Sequence, residues 1–316
     1  MTNVIPNFRL HKPATLAEAL ALLQSEPGAR LCAGGTDLIV NMRRGLVEAE
    51  TLIDLTNVGE MKLVESSAAG TRIGAGVTLN DLIAHIGIAA DYPAVSQAAA
   101  AIAGPSHRQV ATVGGNLCLD TRCQYYNQSH WWRKANDFCL KFRGEICHVA
   151  PQGNRCRAAF SGDLAPALMV HGAELDLAGP NGMRRVPLAE FYQEDGADYM
   201  RKQADEIVVA VHLPPGGQPS AYEKIRVRGA VDFPLAGVAV ARTGEGFAVA
   251  LTGTNSCPML LDDPGNLPDE DTDAYFAALE KQVQKQVSPQ RTTLIQPHYR
   301  RLSIAAIAGR LARALA

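Results

Sequence analysis

Three absences bound what this chain can be. No apolar run in its 316 residues approaches the roughly 18–20 residues of a membrane-spanning helix. Net charge is nearly absent, with 30 Lys and Arg against 32 Asp and Glu, so nothing points to nucleic acid or an acidic membrane surface. The short nucleotide signatures are missing as well, because neither glycine pair sits in a P-loop or a G-x-G-x-x-G. No internal repeat or low-complexity tract breaks the chain. Residues Met1 to Arg9 lack the basic start and apolar core of a secretory signal, so the expected compartment is the cytoplasm, where thiols stay reduced.

What is present is an ordinary globular composition, 47% hydrophobic and 20% charged, long enough for two or three domains and a sizeable core. Seven cysteines are an odd number, and five of them (Cys118, Cys123, Cys139, Cys147 and Cys156) fall in one central stretch. That clustering favours ligands over disulfides. The same stretch holds both tryptophans, Trp131 and Trp132, and the basic residues Arg122, Arg133, Lys134, Lys141, Arg143, Arg155 and Arg157.

Thr15-Leu-Ala-Glu18 reads as a capping box before the helical face of Leu16, Ala19, Leu20 and Leu23. A short strand, Ala29 to Cys32, runs into Ala33-Gly34-Gly35-Thr36-Asp37-Leu38 and then a helical turn to Gly45. A Gly-Gly at a strand-to-helix switch presents N–H groups to an anion, although alone it is also an ordinary tight turn. Thr51 to Val58 reads as a strand, and further strand pieces lie at Leu63–Val64 and Arg72–Ile73. Helices follow from Thr78 and over Pro93 to Ala103. Beyond the central stretch, Pro180-Asn181-Gly182 marks a hairpin, and Ile207 to Leu213 is a β-branched strand. Gly216-Gly217-Gln218-Pro219 is the best linker. After it come three antiparallel strands (221–227, 235–241, 247–252), an acidic loop from Asp262 to Asp273, and helices 274–287 and 299–315.

A second small-residue turn, Ala111-Thr-Val-Gly-Gly-Asn116, strengthens the first. A dinucleotide pyrophosphate takes N–H donors from more than one loop, and Thr36, Thr112 and Asn116 can add side-chain bonds. Two unrelated tight turns remain the plain alternative on spacing alone. Cys123, Cys139, Cys147 and Cys156 form no C-x-x-C knuckle, which disfavours a zinc ribbon, and match neither ferredoxin spacing. The residues alone leave a metal site and structural thiols both open. Cys32, Cys118 and Cys257 read as packing residues, and His107, His130 and His148 as structural. No Ser-His-Asp or paired-carboxylate constellation stands out.

At these residues the sequence resembles the flavoprotein subunit of the xanthine oxidase family of molybdenum enzymes. The matching pieces are Ala33-Gly-Gly-Thr-Asp-Leu38, Ala111-Thr-Val-Gly-Gly-Asn-Leu-Cys118, Asp163-Leu-Ala-Pro-Ala-Leu168, and Lys224 with Arg228 and Asp232 after it. The resemblance implies an α+β fold. A two-part FAD-binding domain of the PCMH/vanillyl-alcohol-oxidase type would span 1–216, with subdomains at about 1–58 and 59–216. A smaller α+β domain of the CO-dehydrogenase flavoprotein type, a three-stranded antiparallel sheet with helices, would span 217–316. It also implies that Leu31, Cys32, Ala33, Gly34, Gly35, Thr36, Asp37 and Leu38, together with Ala111, Thr112, Gly114, Gly115 and Asn116, hold FAD. Asp163 and Lys224 would contact FAD too, and Val209 matches a flavin-side position.

Most relatives have a shorter run between Gly-Gly-Asn and the aspartate. The long insert here, at about 118–160, carries four cysteines and Gln124-Tyr-Tyr-Asn-Gln-Ser-His-Trp-Trp132, and resembles the beta subunit of the 4-hydroxybenzoyl-CoA reductases. There the insert holds an extra [4Fe-4S] cluster, which implies Cys123, Cys139, Cys147 and Cys156 as ligands and leaves Cys118 out. The implied partners are a large molybdopterin subunit and a small [2Fe-2S] subunit, in a dimer of heterotrimers. Electrons would come from a ferredoxin-type donor and serve reductive dehydroxylation to benzoyl-CoA on the partner. Another family member, hydroxylating or dehydrogenating an aromatic or N-heteroaromatic compound, would look much the same in this chain. A zinc-stapled, non-redox nucleotide-binding module is the reading from a different class.

Overall fold

The computed structural model describes residues 5–229, 231–244, 246–261 and 273–316. Near the start, β1 (Arg9–His11), β2 (Arg30–Cys32) and β3 (Thr51–Asp54) form a parallel sheet in the order β1-β3-β2. Parallel neighbours need crossovers, and the helices Leu16–Ser25 and Leu38–Arg43 supply them. The first is capped as its sequence predicts: Thr15 accepts from the Glu18 N–H, and Glu18 reaches back to the Ala14 N–H. The strand expected over 51–58 stops at Asp54. Its carboxylate accepts from the Thr56 N–H at 3.0 Å and bends the chain into a short 3-10 turn.

The middle of the chain builds an antiparallel sheet from β4 (Val64–Ser67), β5 (Gly70–Gly74), β6 (Glu174–Gly179), β7 (Gly182–Pro187) and β8 (Ile207–Leu213), in the order β4-β5-β8-β6-β7. Between Asp176 and Leu177 the register slips, so Asp176 pairs with Ala210 and Leu177 with Val208. Val209 is the residue skipped, and such bulges re-aim a strand. Apolar residues of this sheet share one core with the helices Leu79–Ala84, Pro93–Ala101 and Leu164–Met169.

The third sheet is antiparallel, β12-β11-β10-β9, from β9 (Ser220–Ile225), β10 (Ala236–Thr243), β11 (Gly246–Thr252) and the two-residue β12 (Met259–Leu260). The three expected strands are there, and β12 is an addition too short to show a period. Helices Asp273–Gln286 and Pro297–Leu315 cover the sheet with their own apolar core, including Val240, Leu251, Tyr275, Phe276 and Ile304. Of the acidic loop, residues 262–272 lie outside the described residues.

Arg300 fastens this unit. Its side chain is fully buried, donating to the carbonyls of Leu235 and Gln290, each at 2.9 Å, and to that of Gly253. Burial pulls its pKa down to about 10. The Leu235 and Gly253 carbonyls have no backbone donor among the described residues, so the guanidinium answers them, whereas that of Gln290 also accepts the Thr292 N–H at 2.7 Å. Arg300→Met strands the Leu235 and Gly253 carbonyls, and we expect the unfolding free energy to fall by about 3 kcal/mol in urea titration. An unchanged midpoint would show that water replaces the guanidinium at no cost.

Candidate cofactor site

The two Gly-Gly turns, far apart in sequence, are pressed together. A Cβ on Gly34 would lie 2.0 Å from the Val110 carbonyl oxygen and 2.9 Å from the Ala111 nitrogen. Gly34 is therefore a glycine because a second backbone occupies the side-chain space. Gly35 has φ +67, the left-handed region that turns β2 into the helix at Leu38. Among the described residues, no acceptor takes the backbone N–H groups of Gly34, Gly35, Thr36 or Asp37. Four successive free donors before a helix make an anion-binding concavity.

The second turn differs. Thr112 caps the helix Val113–Leu117 by accepting from the Gly115 N–H at 3.1 Å. The N–H groups of Val113, Gly114 and Asn116 donate to Val77, Ala75 and Thr112 carbonyls. Sequence reasoning expected donors from both loops, and the second spends these ones internally. Its glycines serve packing instead, since a Cβ on Gly114 would meet the Ala75 Cβ at 2.8 Å. Ala75 in turn donates to the Val209 carbonyl at 2.8 Å, which brings the bulge of β8 to this turn. The Asn116 side chain accepts the Leu164 N–H at 3.0 Å and so ties the loop to the Asp163 turn.

Asp163 is 3% exposed and accepts from the Tyr222 hydroxyl at 2.6 Å and the Lys224 ammonium at 2.9 Å. Lys224 also donates to the Asp232 carbonyl. Burial drives the Asp163 pKa up, and Lys224 and Tyr222 oppose it. Tyr222 escaped sequence reasoning. Its position two before Lys224 on β9, hence on the same face, was the available signal.

Asp37 joins the first loop to the insert. Its carboxylate accepts from the guanidinium of Arg122 and, at 3.0 Å, from the Asn41 amide. Burial raises the Asp37 pKa while Arg122 lowers it. Arg122 lies 3.9 Å over the Phe233 ring, so one side chain bridges the first loop, the insert and the C-terminal unit. Leu38 packs with Met42 and Leu52, and Leu31, Ala33, Thr36 and Ala111 are half-buried around the turns. Cys32, expected in the core, is only half-buried, with its pKa pushed up to about 11 mainly by burial.

A two-way backbone pairing of Arg122 with Ala159 closes the base of the insert. Inside it Cys123, Cys139, Cys147 and Cys156 are all buried, reduced and lining one small apolar cavity. Cys118 is not in that lining. Burial pushes Cys123 up to about 12 and Cys156 up to about 11, and neighbouring thiols act in the same direction. Among the described residues no three His, Cys, Asp or Glu side chains close on a point that would hold a single ion.

One cation stands at this cavity, and a second is buried in the insert outside its lining. Lys141 lines it and donates to Asp120 at 2.6 Å and to the Gly196 carbonyl at 2.7 Å. Arg133 is 1% exposed, donates to the Gly45 carbonyl at 2.8 Å, and covers the Phe142 ring. Its Nε and Nη1 have no partner among the described residues. Burial lowers its pKa, with Tyr126 and Cys139 opposing. His148, read from the sequence as structural, does line the cavity; its short bond to the Phe138 carbonyl holds the ring. Tyr125 stacks near both His148 (5.3 Å) and Trp132 (6.0 Å), while Trp131 is 65% exposed.

Residues 6–216 match the family described as the FAD binding domain in molybdopterin dehydrogenase. The aldehyde oxidoreductase FAD-binding subunit PaoB of Escherichia coli (strain K12) is 34% identical over 266 residues, covering 81% of this chain and 84% of that protein. This chain belongs to the FAD-binding subunits of the xanthine oxidase family of molybdenum enzymes. The carbon monoxide dehydrogenase medium chain of Afipia carboxidovorans is 29% identical over 270 residues, 83% of this FAD subunit and 79% of that chain. The fold agrees with carbon monoxide dehydrogenase from Hydrogenophaga pseudoflava at TM-score 0.80 and 23% identity, over 99% and 98% of the two chains. Quinoline 2-oxidoreductase from Pseudomonas putida 86 follows at TM-score 0.77 and 21% identity, again over 99% and 98%.

The buried pair of this FAD subunit is open to a direct test. Lys224→Met leaves the Asp163 carboxylate buried without its cation, and stability should drop by about 3–5 kcal/mol. Adding Asp163→Asn in the same chain should restore most of that loss in urea unfolding. Strictly additive losses would show that the two groups are not coupled.

Proposed function

We propose that this FAD subunit is a two-centre electron carrier, with FAD on the paired Gly-Gly turns and a [4Fe-4S] cluster on Cys123, Cys139, Cys147 and Cys156. The observation that carries the reading is the single cavity lined by all four insert cysteines. When bound, FAD exchanges electrons singly or in pairs and an iron–sulfur cluster exchanges them one at a time. The chain's own role is to bind and orient. The free N–H groups from Gly34 to Asp37 are the donors for the FAD pyrophosphate, and Thr36 and Thr112 flank them. Asp163, held by Tyr222 and Lys224, presents a fixed polar surface beside the second turn, and Val209 reaches that turn through Ala75. A domain division at about 216 makes residues 1–216 the flavin-binding domain and residues 217–316 the covering one.

In the complex we infer, the chain works beside a large molybdopterin subunit and a small [2Fe-2S] subunit, in a dimer of heterotrimers, exchanging electrons with a ferredoxin-type protein. Substrate chemistry lies on the partner. Two substrate readings have support. The run Gln124 to Trp132 and the four cysteines support a 4-hydroxybenzoyl-CoA reductase-like complex, with electrons flowing inward. The similarity to PaoB, to carbon monoxide dehydrogenase and in fold to quinoline 2-oxidoreductase supports the broader reading more strongly: a family dehydrogenase or hydroxylase with electrons flowing outward. Assay of the purified complex with 4-hydroxybenzoyl-CoA, aldehydes and N-heteroaromatic compounds separates them.

The cluster assignment has its own test. Replacing any one of Cys123, Cys139, Cys147 or Cys156 by Ser exchanges a soft iron–thiolate bond for a weaker one and should cut iron content severalfold with flavin retained. Cys118→Ser should keep both. Loss of iron in Cys118→Ser with full iron in Cys123→Ser would overturn the ligand set.

A further inference from the structure

Arg133 is the least satisfied of the fully buried charges among the described residues. Its guanidinium is enclosed, and a buried cation is stable only when an anion or a full set of acceptors answers it. It receives one good acceptor, the Gly45 carbonyl at 2.8 Å, and a long one, the Arg44 carbonyl at 3.5 Å. Both lie at the end of the helix Leu38–Arg43, whose partial negative charge is modest. No carboxylate among the described residues pairs with it: Glu48, just past Gly45 in the chain, is engaged by Arg143 at 2.6 Å. Arg143 also faces the Phe142 ring, at 5.0 Å, and so adds a second positive charge rather than an anion. Lys141, on the cavity wall, is different, because Asp120 already answers it.

Resting on the cluster reading above, we propose that Arg133 is the counter-charge of that cluster, a positioning residue whose unpaired guanidinium is neutralised only when the four cysteines carry iron. Four thiolates around an iron–sulfur core leave it net negative, and one added electron makes it more so. A fixed cation beside it stabilises the reduced form and raises the reduction potential. No proton or bond need change. Cys139 turns back onto Phe142, whose ring lies under the guanidinium, and its charge bears on Arg133.

The experiment compares the chain with and without iron, prepared by anaerobic reconstitution and by chelation of the same protein. Arg133→Met removes the charge and keeps much of the packing. Without iron it should unfold at a higher temperature than the parent, because an unpaired buried cation is gone. With iron it should unfold at a lower temperature, and its midpoint potential in a dithionite titration followed by EPR should shift downward. Arg133→Lys should restore the potential, and Lys141→Met should shift stability in the same direction in both forms. An Arg133→Met change of one sign in both forms, with an unmoved potential, overturns the proposal and makes Arg133 a packing residue. A parent chain that binds no iron on reconstitution overturns the cluster reading instead.

Discussion

The contact on which the rest depends is the one at Gly34, where the backbone of Val110 and Ala111 fills the place of a side chain. It fixes the first turn of the small parallel sheet against the second turn of the larger unit. Both turns then face the Asp163 start of a third helix, because Asn116 holds the Leu164 N–H. Arg122 adds the C-terminal unit by pairing with Asp37 and covering Phe233. A dinucleotide site needs donors and walls from several loops at once, and these contacts assemble them without any one loop being long.

Much of this was legible in the sequence. Thr15, Thr78 and Pro93 announce their helices by local capping rules, and β8 is a seven-residue β-branched run with the bounds expected. The two glycine pairs were identifiable by type, but their duties were not. Which N–H groups stay free depends on Val77 and Ala75, which supply the carbonyls that occupy the second turn. Long-range pairing of that kind leaves no periodic trace. Tyr222 was hidden for the same reason, since its role exists only once β9 is laid against Asp163.

The buried charges divide into two kinds, and the division follows function. Asp163 and Lys224, like Lys141 and Asp120, are answered within the chain and hold loops in place. Arg133 is not answered among the described residues. A protein keeps an unpaired buried charge at a cost to stability, and the counter-charge proposal assigns the recovery of that cost to a cluster on the four insert cysteines. Flavin turns, insert and arginine therefore make one electrostatic unit: Arg133 touches the helix that begins at the first turn, and Arg122 touches the turn itself.

The most direct measurement is the iron, sulfide, zinc and flavin content of the chain purified without oxygen. The account predicts about four iron and four acid-labile sulfide for each flavin, with negligible zinc, and flavin absorbance carried on a broad iron–sulfur shoulder. A flavin-loaded chain containing stoichiometric zinc and no labile sulfide would contradict it.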